Sequence, residues 1–345
     1  MASRGSLADR LLRPEVPNTT RVLFLAESAP EEPDFRIKEH KGDGGYPAYY
    51  HEIWQRLKEL RYTVRSSSRI SASLFGGGNV DFVFSLYNRM PLNNSEVLVS
   101  AFCEFLRIPY LGARPNIRAL AEDKWLSKLA ARAIGIPTND GIPYSDNDAT
   151  SYAPPFCGPY FIKDRFGAGS EGITTDCLQD TWDGAKRIVL RFLEQGADVL
   201  VERFAPGVDV TVPVLGGAPP MMLGFVNPLS DKPNDILTED LKLDDPLGYQ
   251  LYDVGDHDHE FANDVNALWA AFGPIDYLRM DYRFDPATGQ RVFLEFNVCC
   301  FIGSSGAICL AGKDRDLTQV DILGHVIEYS LRRQSLRRQH LQWVL

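Results

Sequence analysis

The chain has 345 residues, of which 44% are hydrophobic and 24% charged, and its formal net charge is −10. That apolar content supplies two or three packed cores and excludes large-scale disorder. The acidic balance excludes a dedicated nucleic-acid binder, whose phosphate contacts need a basic surface, and no apolar run reaches the ~20 residues of a membrane helix.

Residues 1–20 contain Arg4, Arg10 and Arg13 but no apolar segment of signal-peptide length, and read as a flexible leader. Residues 21–26 (RVLFLA) then have the character of a buried parallel strand. A helical stretch follows near 46–60, a strand at 80–86 and a helix at 97–106, whose Leu98, Ala101, Phe102 and Phe105 share a face. Residues 108–111 (IPYL) give a further strand, and this alternation implies a doubly wound parallel unit. The clearest helix runs from 116 to 134, with Leu126, Leu129, Ala130 and Ala133 as its apolar face and Gly135 and Pro137 as stop signals.

After Pro159 the character changes to short strands separated by glycine-containing turns: 160–163, 199–204, 208–215, 278–284 and 292–297. Residues 285–289 (DPATG) read as a hairpin turn between the last two. The acidic stretch 253–260, with His257 and His259, reads as a solvated loop. A helix at 320–331 and a basic tail at 332–345 close the chain, the tail reading as a solvated helix end. The six cysteines form neither a disulfide framework nor a CxxC pair, so reduced thiols in the cytoplasm are expected. Adjacent Cys299 and Cys300 have no histidine placed to activate them and read as pocket-lining residues.

Chemistry concentrates at the last two strands. Alternation puts Arg279 and Asp281 on one strand face. On the partner strand it puts Val292, Leu294 and Phe296 on one side and Phe293, Glu295 and Asn297 on the other. Side by side, Asp281, Glu295 and Asn297 form an oxygen set suited to Mg²⁺, although D…ExN alone also fits an exposed polar sheet face. Residues 163–172 (KDRFGAGSEG) place Lys163 at a strand end before a loop with Gly167, Gly169, Ser170 and Gly172, able to close over phosphate oxygens. Lys124 precedes the strong helix, and Glu202 and Asp209 flank the turn containing Phe204. Each signal is weak alone.

In series, AEDKW, FIKDRFGAGSEG, VLVERFAPGVDVTV, RMD and LEFN resemble the ATP-grasp family, and within it the D-alanine–D-alanine ligase branch, over residues 108–303. The resemblance implies a three-domain ATP-grasp fold, α/β plus α+β, with a doubly wound N-terminal domain. Its expected units are a domain at 21–120, a central lid at 121–209 and a C-terminal metal-bearing domain at 210–345. It implies that Lys124 and Lys163 bind ATP phosphates beneath a loop carrying Ser170. Glu202, Phe204 and Asp209 would then lie near adenine and ribose, and Asp281, Glu295 and Asn297 would hold two Mg²⁺ ions. Arg279 would stabilise the tetrahedral intermediate, and Lys242 would reach the γ-phosphate. A homodimer follows from the resemblance as well.

The departures fall where substrates would bind. The 26–46 region lacks the branch's glutamate motif for an ammonium group, with Glu27 as a substitute. Residues 86–94 (LYNRMPLNN), including Arg89, replace a His/Gly-rich segment, and 298–305 (VCCFIGSS) replace Ser-Pro-Gly and its serine. The expected activity is therefore Mg-ATP-dependent joining of a small-molecule carboxylate and amine through an acyl phosphate, the substrate being an amino acid or related compound other than D-alanine. Intramolecular ring closure and a non-catalytic ATP-binding regulator are the alternatives. A biotin-dependent carboxylase is disfavoured, because its surrounding motifs are absent.

Overall fold

In the computed structural model, residues 6–37, 47–76, 78–87, 95–228, 236–239 and 248–341 are described. The first apolar run forms strand β1 (Arg21–Leu25), flanked in parallel by β2 (Thr63–Ser67) and β3 (Phe82–Ser85). A parallel sheet must be covered on both faces. Val22 and Phe24 pack with Ile53 and Leu57 of helix α1 (Pro47–Glu59). Leu23 and Leu25 pack with Leu74 of α2 (Ile70–Phe75) and with Val99 and Cys103 of α3 (Ser95–Leu106). This is the doubly wound unit expected from sequence, except that residues 108–111 supply only one bridge, Val83 to Tyr110.

The expected helix over 116–134 is two helices, α4 (Pro115–Glu122) and α5 (Lys124–Ala133). Asp123 causes the break. Its side chain accepts the backbone N–H groups of Trp125 and Leu126, an N-cap contributing about 1 kcal/mol, and Arg165 grips the same carboxylate through two bonds. The restarted helix also buries a different face. Leu126 and Leu129 are 44% and 39% exposed, whereas Ser127, Lys128 and Ala131 are buried.

The second sheet is antiparallel, in the order β4 (Gly141–Tyr144), β7 (Val199–Arg203), β5 (Tyr160–Asp164), β6 (Leu178–Gln179). Ile162, Val199 and Val201 form its core with Val189 and Phe192 of α6 (Trp182–Glu194).

The third sheet runs β11 (Tyr249–Leu251), β10 (Val226–Pro228), β8 (Val208–Leu215), β12 (Tyr277–Asp285), β13 (Gln290–Val298), with β9 (Met221–Met222) on β8. Val210, Val212, Met280 and Tyr282 face Phe261, Val265 and Leu268 of α7 (Asp258–Phe272). That helix occupies part of the stretch read as a solvated loop. Leu215 and Tyr277 lie instead against α8 (Ala307–Lys313) and α9 (Gln319–Leu341). Residues 332–341 of the basic tail form the C-terminal end of α9, as expected. The β12–β13 turn is built as expected: Asp285 accepts from Ala287 N and Thr288 Oγ1, and Gly289 takes φ 71°. Among the described residues, no helix is long and apolar enough to cross a membrane.

Two buried polar groups fasten the cores together. Asp276 accepts from the Gly112 backbone N–H at 2.5 Å and from Arg333 Nε at 2.5 Å, joining the link between α3 and α4, the start of β12 and α9. His325 accepts from Leu12 N at 3.0 Å and donates through Nε2 to Gly216 O at 2.8 Å. The second contact contradicts a loose leader over 6–20. Leu7 and Leu11 pack on the core, and Arg10 donates to Pro219 O.

Asp276→Ala strands the Arg333 guanidinium in the interior and is expected to destabilise the protein by about 3–5 kcal/mol in urea denaturation. An unchanged midpoint would refute the tie. His325 must stay neutral to accept from Leu12, and burial lowers its pKa from the ordinary 6.5. Its contribution is therefore complete above that value and is lost as pH falls toward the lowered one. The stability gap between wild type and His325→Leu should shrink between about pH 7.5 and pH 5.5. A constant gap would mean that the imidazole does not titrate against folding.

Candidate functional site

The second and third sheets face each other across a cleft lined by Lys124, Lys163, Ser170, Arg279, Asp281 and Glu295 at its polar part, and by Phe161, Ile173, Phe204 and Ile236 at its apolar part. Strand geometry delivers most of these side chains. In β12, Arg279, Asp281 and Arg283 alternate into the cleft while Met280, Tyr282 and Phe284 go to the core.

Strand β13 departs from simple alternation. Asp281 pairs with Glu295, but Tyr282 pairs with Phe293, so Leu294 is an extra residue in a β-bulge. The bulge sends Phe293 into the core with Phe296 and lets Leu294 line the cleft. It reverses the facing expected from sequence for those two residues, yet keeps Glu295 and Asn297 on the cleft side. Asn297 Nδ2 donates to Asp281 Oδ2 at 2.8 Å, Thr211 Oγ1 donates to Oδ1 at 2.7 Å, and Arg279 Nε lies 3.1 Å from Oδ2. Two carboxylates and an amide oxygen form a hard donor set, which fits Mg²⁺.

Charges are already matched in this cleft. Lys124 Nζ donates to the Gly167 carbonyl and stands 3.5 Å from Glu295 Oε2. Burial opposes the Glu295 charge, but Lys124, Lys163 and Arg279 outweigh it and hold the carboxyl down to about 2. Burial also opposes the Arg279 charge, which Asp281 more than restores.

Glu202 is 1% exposed, and its carboxylate sits between Lys128 and Lys163, each 2.9 Å away. Burial alone would neutralise it; the two ammonium groups keep it ionised. Burial pulls Lys128 down to about 8, against the attraction of Glu202. The resemblance put Glu202 near adenine and ribose. It lines the cleft beside Phe161 and Phe204, and its carboxylate holds the ammonium group of Lys163.

Phe204 packs with Phe161 at 6.4 Å between ring centroids, and Asp209 lies 3.1 Å from Arg283 Nη1. Ser170 takes a left-handed conformation (φ 65°) beside Gly169 (φ 64°), in the loop after β5. That loop is tied down where Gly172 N donates to Glu239. Lys242 and Arg89 lie outside the described residues. Cys299 and Cys300 are buried, and burial pushes both thiols up to about 12, which removes them as nucleophiles at neutral pH. Neither lines the cleft.

Sequence reading missed Lys128, Thr211 and Arg283. Each carried a periodic signal: Lys128 is four residues after Lys124, Thr211 two after Asp209, and Arg283 two after Asp281.

No family model matches the chain. The D-alanine–D-alanine ligase of Oleidesulfovibrio alaskensis is 27% identical over 207 residues, or 59% of this chain, and the chain spans 63% of that relative's length. A crystal structure of the Bacillus anthracis D-alanine–D-alanine ligase complexed with ATP superimposes with a TM-score of 0.68 at 16% identity, covering 92% of this chain and 100% of that one. The VanG D-Ala:D-Ser ligase of Enterococcus faecalis gives a TM-score of 0.66 at 15% identity, covering 91% and 100%. The sheets, the cleft between them and these likenesses together identify the chain as having an ATP-grasp fold of the D-alanine–D-alanine ligase-like type.

Proposed function

We propose that this protein is an ADP-forming ligase that joins a carboxylate to an amine through an acyl phosphate. The observation that carries the reading is the convergence of Asp281, Glu295 and Asn297 with Arg279 on one side and Lys124 on the other. A carboxylate is a poor electrophile, so its oxygen attacks the γ-phosphorus of ATP and ADP leaves. Lys124 and Lys163 meet the phosphate oxygens from the two sides of the cleft. Asp281, Glu295 and Asn297 hold Mg²⁺, which supplies further neutralisation of phosphate charge when bound.

The amine then attacks the acyl carbon, and phosphate departs. Arg279, oriented by Asp281 and 3.4 Å from the Tyr249 hydroxyl, holds the oxyanion. An acyl phosphate hydrolyses readily, and the Gly167–Gly172 loop with Ser170 keeps water from it. A pure nucleotide sensor has no use for an arginine paired with the proposed metal carboxylate, which favours the enzyme over the regulator.

The substrate half supports an amino acid or related small molecule other than D-alanine. After Asn297 the chain turns at Cys299 (φ 54°), and Phe301 then packs against Tyr49 of α1 with tilted rings and centroids 4.4 Å apart. Ile302 N donates to the Tyr49 hydroxyl and Ser304 N to Glu52, so the first sheet's domain shapes this wall. The D-Ala:D-Ser ligase among the structural neighbours is consistent with a fold that accepts different partners.

With Mg-ATP and a pooled panel of amino acids and small carboxylic acids, the protein should release phosphate and ADP and yield a condensed product mass. AMP and pyrophosphate would refute the acyl-phosphate route. Arg279→Met should lower turnover by about 10²–10³ while Mg-ATP affinity stays within ~3-fold, because the arginine acts on charge that develops after binding. Equal losses in both would make Arg279 a nucleotide-binding group instead.

A further inference from the structure

Arg283 brings a second cationic side chain into the cleft from β12, beside Arg279, and the phosphate chemistry leaves it without a task. Alternate residues on a strand are about 7 Å apart, so Arg279, Asp281 and Arg283 step along the cleft floor. Asp281 marks the phosphate end, with Asn297 and Glu295 beside it. The Arg283 guanidinium lies 5.4 Å from the centre of the Phe204 ring, at the apolar end where a flat base fits. In any nucleotide the sugar lies between base and phosphates, which puts it over Arg283 and Asp209.

Those two residues are directly opposed in the β8–β12 register. Arg283 is 7% exposed in its side chain and fully engaged: Nε donates to Ala205 O at 3.1 Å, Nη2 donates to Gly207 O, and Nη1 stands 3.1 Å from Asp209 Oδ2. One planar fork thus fixes both the turn that carries Phe204 and the carboxylate beside it. Guanidinium suits this task, since a lysine has no rigid fork to meet two carbonyls and a carboxylate together. Asp209 remains partly exposed toward the cleft, at 24% of its side chain.

We propose that Arg283 is a positioning residue for sugar recognition, holding Asp209 so that its carboxylate accepts from the ribose hydroxyls and the site prefers ribonucleotides to 2′-deoxyribonucleotides. The inference rests on the Mg-ATP reading given above. A site built to hydrogen-bond a hydroxyl penalises the analogue that lacks it, because the acceptor loses that hydrogen bond after giving up water.

The test is calorimetric titration of the full chain with Mg-ATP and with Mg-2′-deoxyATP, in the absence of carboxylate and amine substrates. Wild type should bind ATP at least ~10-fold more tightly than 2′-deoxyATP. Arg283→Met should weaken ATP about 10-fold and 2′-deoxyATP by less than ~2-fold, collapsing the discrimination. Arg283→Lys retains the charge next to Asp209 and should give an intermediate ratio, and it carries the test if the methionine variant fails to fold. Equal weakening of both nucleotides, or discrimination that survives in the variants, would overturn the proposal and leave Arg283 as a brace for the turn. A wild type that binds neither nucleotide would overturn the Mg-ATP reading itself.

Discussion

The buried carboxylate of Glu202, held between Lys128 and Lys163, is the interaction on which the cleft depends. Isolated charge in a protein interior costs several kcal/mol, so any one of the three alone would be neutralised or expelled. Together they persist, and they fix geometry. Lys128 also donates to Thr138 Oγ1, Asn139 Oδ1 and the Phe293 carbonyl, and so pins α5, the turn after it, β7 and β13 to one point. Phe293 is the core-facing residue of the β13 bulge, adjacent to the extra residue Leu294. The same lysine therefore anchors the bulge that aims Glu295 and the carboxylate that aims Lys163. Lys163 on one sheet and Glu295 on the other, both lining the cleft, share one buried support.

A second consequence concerns the charge balance of the cleft. Lys124 and Lys163 are compensated by Glu295 and Glu202 before any phosphate arrives. Uncompensated positive charge gathered in the cleft would destabilise the folded chain; the carboxylates remove that penalty. On the proposed reading, Lys163 would keep its buried partner when a phosphate binds, whereas Lys124 pairs with Glu295, a carboxylate that a metal ion would claim. Metal and nucleotide should consequently reinforce one another, because the ion takes Glu295 and releases Lys124 toward the phosphate.

Legibility from sequence followed the strength of local pattern. The parallel β1–β3 unit was readable because Val22 to Leu25 is apolar on both faces, and the β12–β13 hairpin because Asp285–Gly289 carries its own turn chemistry. The α4–α5 break was hidden. Helical spacing runs through it, and only the tertiary bond of Arg165 to Asp123 reveals the capping role. Counting Leu126 and Leu129 as the buried face failed because Lys128, paired with a carboxylate on another strand, is buried in their place. The bulge at Leu294 was equally invisible, since an inserted residue changes facing without changing composition. The ordered series of motifs singled out Lys124, Lys163, Asp281 and Glu295, which line one cleft. Arg283 and Thr211 had only a two-residue period to announce them, and their partners lie on strands about 70 residues away in sequence.

The most direct test of this account is a calorimetric titration with the non-hydrolysable ATP analogue AMP-PNP, with and without Mg²⁺. The account predicts one nucleotide per chain and binding that is markedly tighter with the metal, a dependence that Glu295→Ala removes. No binding in the presence of Mg²⁺, or equal binding in wild type without it, would contradict the claim that the two sheets form a joint nucleotide and metal site.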